Sequence, residues 1–116
     1  MGLDANAYRV HKSDYLSEIS LPDKEYEEIH YWRKCWPLQD WMTRLYRRKG
    51  GKNEFNCEYV RLTEKDLDLL EQDIPNLKED GLSCLCPEDI DELPKFIEEA
   101  RKVLAEGDLV YYWSWW

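Results

Sequence analysis

Alternation opens the chain. Leu3, Ala5 and Ala7 are set against Asp4, Asn6 and Tyr8, a two-residue period that predicts a strand over 3–10. A polar stretch then runs to Pro22. Asp23 could cap a helix, with acidic residues in its first turn where the macrodipole favours them. Tyr26, Ile29, Trp32 and Trp36 recur at helical spacing, so that helix is expected to carry Tyr31–Trp36. Pro37 lacks an amide donor and crowds the preceding turn, which predicts either a kink or a break with a second helix starting there.

The second helix has the clearest stripe of this half. Leu38, Trp41, Met42 and Leu45 fall at i, i+3, i+4 and i+7, with Arg44, Arg47 and Arg48 on the other side and Gly50-Gly51 at its end. Residues 57–62 alternate and predict a strand. Thr63 with Asp66 resembles a capping box that starts a helix near Glu64; Leu67, Leu70 and Ile74 give it an apolar seam and Pro75 is expected to close it. Residues 75–87 read as a connection. Ile90 and Leu93 open another helical pattern, Pro94 marks a kink or restart, and Phe96, Ile97, Ala100, Val103 and Leu104 form a strong apolar face that Gly107 stops. Leu109 to Trp116 has high strand propensity and tolerates water poorly, so it is expected inside the sheet. The reading is one α+β domain over 1–116, with amphipathic helices packed on a small sheet that includes the N- and C-terminal strands.

Composition agrees with that architecture and narrows it. The chain has 116 residues, the size of one ordinary domain, and its 43% apolar and 35% charged residues exclude a disordered tail or a coiled coil. No apolar run approaches the length of a membrane-spanning helix, and the first ten residues lack the basic patch and apolar stretch of a secretory signal, so the expected location is cytoplasmic, away from any membrane. Six tryptophans and eight tyrosines exceed ordinary usage. Such rings serve a core or a binding surface equally well.

Charge is segregated. The total is −9, but residues 33–52 carry Arg33, Lys34, Arg44, Arg47, Arg48, Lys49 and Lys52 against Asp40 alone, a net of +6. Residues 1–32 sum to −4 and residues 53–116 to −11. An acidic protein resists non-specific nucleic-acid binding, yet a local basic face still attracts phosphate or an acidic partner.

The reactive residues form no recognisable catalytic pattern. Cys35, Cys57, Cys84 and Cys86 are irregularly spaced, and only the last two pair, at a spacing too tight for the usual zinc ligands, so neither metal nor cofactor is expected. With two histidines, His11 and His30, and no G-x-S-x-G turn, a nucleophile–base–orienter set is not visible. Neighbouring carboxylates such as Glu98 and Glu99 are unavoidable among 25 acids and read as a solvated face. Gly50-Gly51-Lys52 lacks the spacing of a phosphate loop. Sixteen basic residues also argue against mimicry of DNA by the acidic region 64–108.

The opening Met1-Gly2-Leu3-Asp4-Ala5-Asn6-Ala7-Tyr8, the run Tyr31-Trp32-Arg33-Lys34 with Trp41, and the tail Tyr111-Tyr112-Trp113-Ser114-Trp115-Trp116 resemble a group of small phage and prophage proteins. The group opens M-G-L-D, carries Y-W-R-K on a helix and ends in an aromatic segment; the likeness covers about a quarter of the chain. It implies a mobile-element protein of the bacterial cytoplasm that binds host components, and it transfers no catalytic or binding residue.

Together these readings point to a non-enzymatic protein-interaction module whose partner is a bacterial host protein. The candidate contacts are Arg33, Lys34, Arg44, Arg47 and Arg48, whose cations suit carboxylates. A nucleic-acid-binding module using a basic helix over 33–52 is the alternative, since rings beside cations also hold single strands. An aromatic edge strand would further permit a homo-oligomer.

Overall fold

The computed structural model describes residues 3–33, 35–79 and 92–116. Four strands, β1 (Asp4–Val10), β2 (Glu27–Arg33), β3 (Glu58–Arg61) and β4 (Leu109–Trp115), form one antiparallel sheet in the order β2-β1-β4-β3. Three helices lie among the described residues: α1 (Trp36–Arg48), α2 (Glu64–Glu79) and α3 (Leu93–Ala105). The fold is α+β, and the two ends of the chain supply the two central strands. Asp4 stands opposite Trp115 and Val10 opposite Leu109.

Period-two alternation sorts the strands onto two faces. Ala5, Ala7, Trp32, Val60, Val110 and Tyr112 point into the main core. There they meet Leu38, Trp41, Met42 and Leu45 of α1, Leu67, Leu70, Ile74 and Leu77 of α2, and Phe96, Ile97, Ala100 and Val103 of α3. The two small alanines of β1 leave room for the large rings beside them. Trp32 packs edge-on against Phe96 with ring centroids 4.9 Å apart. The opposite face holds a smaller cluster of Val10, Leu109 and Tyr111, closed by Leu21 and Tyr26 from the segment between β1 and β2.

The structure corrects two sequence expectations. Residues 27–33 are a strand, not part of a helix. Ile29 and Trp32, three residues apart, fit the helical period and not a regular strand. A register shift between Ala7 and Tyr8 leaves Ile29 out of the pairing and lets it still pack against the core, and pairing Trp32 opposite Ala5 buries the indole completely. The helix begins only after Cys35, with Pro37 inside its first turn where no amide is needed, so Arg33 belongs to β2 rather than to a basic helix over 33–52. Likewise Pro75 does not close α2. It sits on the exposed side, where water can reach the carbonyl one turn back, while Leu77 continues the buried seam of Leu67, Leu70 and Ile74. Packing of that seam outweighs the lost hydrogen bond.

Other signals hold. Thr63 and Asp66 cap α2 reciprocally: the Thr63 amide donates to Asp66 Oδ2 at 3.0 Å and the Asp66 amide donates to Thr63 Oγ1 at 3.3 Å. Pro94 stands in the first turn of α3, where no amide is needed. Gly107 follows α3 with φ +94°, a left-handed conformation that suits glycine. Lys34, Cys84, Cys86 and Ile90 lie outside the described residues.

Candidate functional site

The site is built on the contact between α1 and α2. Trp41 is at the middle of the apolar stripe of α1 and nearly buried, and its indole Nε1–H donates to Asp73 Oδ2 across the helix pair at 2.8 Å. That bond fixes the indole and engages one oxygen of the Asp73 carboxylate, whose charge stays beside the two arginines. Beside it opens a groove of about 550 Å³ lined by Trp41, Arg44, Arg48, Asp73, Asn76 and Leu77. Trp41 and Leu77 are buried and give the groove an apolar lining, while Arg44 and Arg48 are exposed.

The two arginines sit four residues apart, so they share one side of α1 a single turn from each other. They occupy its C-terminal half, where positive charge complements the helix dipole. Guanidinium groups placed this way offer paired donors to carboxylate or phosphate oxygens. Asn76 adds a neutral amide from α2. The arrangement can bind an anion that also presents an apolar surface.

The remaining candidates are placed elsewhere. Arg47 donates to the Gly51 carbonyl at 3.4 Å, with its guanidinium 5.8 Å from the Tyr46 ring centroid. Gly51 is itself required there: a Cβ would fall 2.2 Å from a carbon of the Tyr46 ring. Arg33 is exposed on β2, in register with Asp4. Lys49 is drawn inward, its Nζ 2.6 Å from both Asp66 Oδ2 and the Arg61 carbonyl and 3.6 Å from Glu18 Oε1. Burial works against the Asp66 charge, but hydrogen bonds from Lys49 and Thr63 prevail and hold its carboxyl below the ordinary value.

Thus the fold gathers Arg44 and Arg48 and separates them from Arg33 and Arg47. It adds Trp41, Asp73, Asn76 and Leu77, which charge counting does not select. Asn76 and Leu77 are hidden by Pro75, which makes them look like a connection. The spacing of Leu77 three residues after Ile74 is the signal that α2 continues.

The histidines lie apart from this groove. His11 accepts from the Ser13 amide at 3.2 Å, and His30 packs on Trp32 with centroids 4.5 Å apart and Nε2 3.4 Å from Glu92 Oε2. A smaller cavity of about 240 Å³ is lined by Lys12, Tyr15, Arg61 and Leu109. Among the described residues no three His, Cys, Asp or Glu side chains gather as metal ligands, and no helix is long and apolar enough to cross a membrane. No protein-family model, curated protein or solved structure matches the chain.

Proposed function

We propose that this chain is a non-enzymatic protein-interaction module, a small phage- or prophage-type protein of the bacterial cytoplasm, whose α1–α2 groove takes an acidic segment of a host protein. The observation that carries this reading is the placement of Arg44 and Arg48 beside a groove lined by Trp41 and Leu77. Arginine is among the residues that most often dominate interface energetics, and here two of them stand beside a concave site floored by the buried Trp41 and Leu77. The likeness of the M-G-L-D opening and the aromatic tail to small phage proteins supports a bacterial host as the source of the partner. Tyr31, Trp32 and Arg33, which that group carries on a helix, stand on β2 here and add no support.

Electrostatics favours a short acidic segment over a nucleic acid. The molecule as a whole carries −9, which repels a long polyanion. A short segment samples chiefly the local field of the two arginines, because charges beyond about 8 Å are screened at physiological salt. A continuous phosphate track would need the cations of 33–52 in line. Arg33 stands on β2, Arg47 turns to the Gly51 carbonyl and Lys49 is bound to Asp66.

The test is affinity capture from bacterial lysate, with and without nuclease, using the wild-type chain and the Arg44→Glu/Arg47→Glu/Arg48→Glu variant. The expected result is one dominant protein that survives nuclease and is lost with the variant at an unchanged melting temperature. Retention of that protein by the variant, or loss of all captured material after nuclease alone, contradicts the proposal.

A further inference from the structure

The face of the sheet turned away from the helices is covered over only part of its area. At one end the segment between β1 and β2 closes it. Tyr26 lies 6.4 Å from both the Tyr8 and the Tyr59 ring centroids, and the Tyr111 hydroxyl donates to the Ser17 carbonyl at 2.6 Å. Cations take part in this closure: Arg61 of β3 stands 5.5 Å from the Tyr15 ring centroid, and Lys24 Nζ stands 5.8 Å from that of Tyr26. The covered end is therefore an aromatic surface closed chiefly by rings, with the sheet's own Arg61 set against a ring of the covering segment.

The other end of the same face is open and similar in chemistry. In register across the sheet, Tyr31, Asn6, Trp113 and Tyr59 form one row, and Arg33, Asp4 and Trp115 begin the next. Trp115 keeps 51% of its surface exposed and Tyr31 45%, large values for rings on paired strands. Strand spacing sets Tyr31 and Trp113 about 10 Å apart, and Trp113 and Trp115 about 7 Å apart along β4. The Tyr31 hydroxyl donates to Asp4 and the Asn6 amide donates to Glu28, so two carboxylates are held among the rings. Against them stands one guanidinium, Arg33, directly across from Asp4.

Ring faces are electron-rich and attract cations, most strongly for tryptophan, and adjacent carboxylates add to that attraction. The same carboxylates, on a chain of charge −9, disfavour phosphates. We infer that the open half of this sheet face is a docking site for an arginine- or lysine-bearing segment of a partner protein, whose cations lie over Tyr31, Trp113 and Trp115 and are balanced by Asp4 and Glu28. The site is separate from the α1–α2 groove and adjoins the aromatic surface that the chain closes with its own segment 11–26.

The test is titration of a fluorescein-labelled arginine–glycine repeat peptide with the full chain at physiological salt, read by anisotropy. Saturable binding is expected, weakened about tenfold by Tyr31→Ala/Trp115→Ala at an unchanged melting temperature. Trp115→Ala alone should show part of that loss, which keeps the test valid if the double variant is unstable. Asp4→Asn should also weaken binding, whereas Arg44→Gln/Arg48→Gln should leave it unchanged, separating this surface from the groove. Absence of binding, or equal binding by the ring variants, overturns the inference. So does ring-dependent binding of labelled oligothymidylate in place of the peptide, or self-association of the chain that the ring variants abolish.

Discussion

At the scale of single residues, the most informative contact is the one that removes a cation from the surface. Lys49 and Asp66 keep only 12% and 11% of their side-chain surface, and they join α1 to the start of α2 beside the Arg61 carbonyl. Their burial distinguishes Lys49 from Arg44 and Arg48, its neighbours in sequence. The Asp66 carboxyl is held below the ordinary carboxylate value, about 3.9. A depressed folded-state value contributes stability that is present above the unfolded value and lost as pH falls through the folded one. Asp66→Asn should therefore cost about 3 kcal/mol at neutral pH, because the buried Lys49 loses its 2.6 Å counter-charge and keeps only Glu18, at 3.6 Å. The variant should also lose less stability than the wild type as pH falls from neutrality through the carboxylate range. Urea denaturation across that range checks both signs.

Among elements, the sequence was most legible where local chemistry and tertiary packing agreed and least where packing overrode the local signal. The α1 stripe, the Thr63–Asp66 cap and the strand at 109–116 needed only local chemistry, and each stands where that chemistry puts it. Ile29 and Trp32 carry a helical spacing, and the strand accommodates them only through a register shift beside Ile29 and the pairing of Trp32 with Ala5. That partner lies at the far end of a long sequence separation, out of reach of a local pattern. Pro75 misled for a related reason, since the burial of Leu77 against the other helices is a tertiary effect. The two groove residues beyond Pro75 were obscured with it. Because β4 pairs with both β1 and β3, deleting residues 109–116 should abolish the cooperative fold rather than trim an edge. Loss of the amide dispersion in NMR spectra is the expected result; a native-like spectrum of the shortened chain would show the sheet closing without it.

At the scale of the whole molecule, the sheet divides the surface into two chemistries. The helical side carries the groove with Arg44 and Arg48 beside it, and the opposite side carries an open aromatic surface with Asp4 and Glu28. The net charge of −9 conceals this division, and so does the basic run 33–52, which reads as one patch in sequence but is dispersed by the fold. Charge counting located the basic elements; only the turn of α1 against α2 selected which arginines share a site. Binding at the groove therefore depends on where each arginine stands, and two pairs of charge reversals in lysate capture separate the positions. Arg44→Glu/Arg48→Glu should lose the captured protein, and Arg33→Glu/Arg47→Glu, matched in charge, should keep it. Equal loss with both pairs, or loss only with the second, would contradict the assignment of binding to the groove.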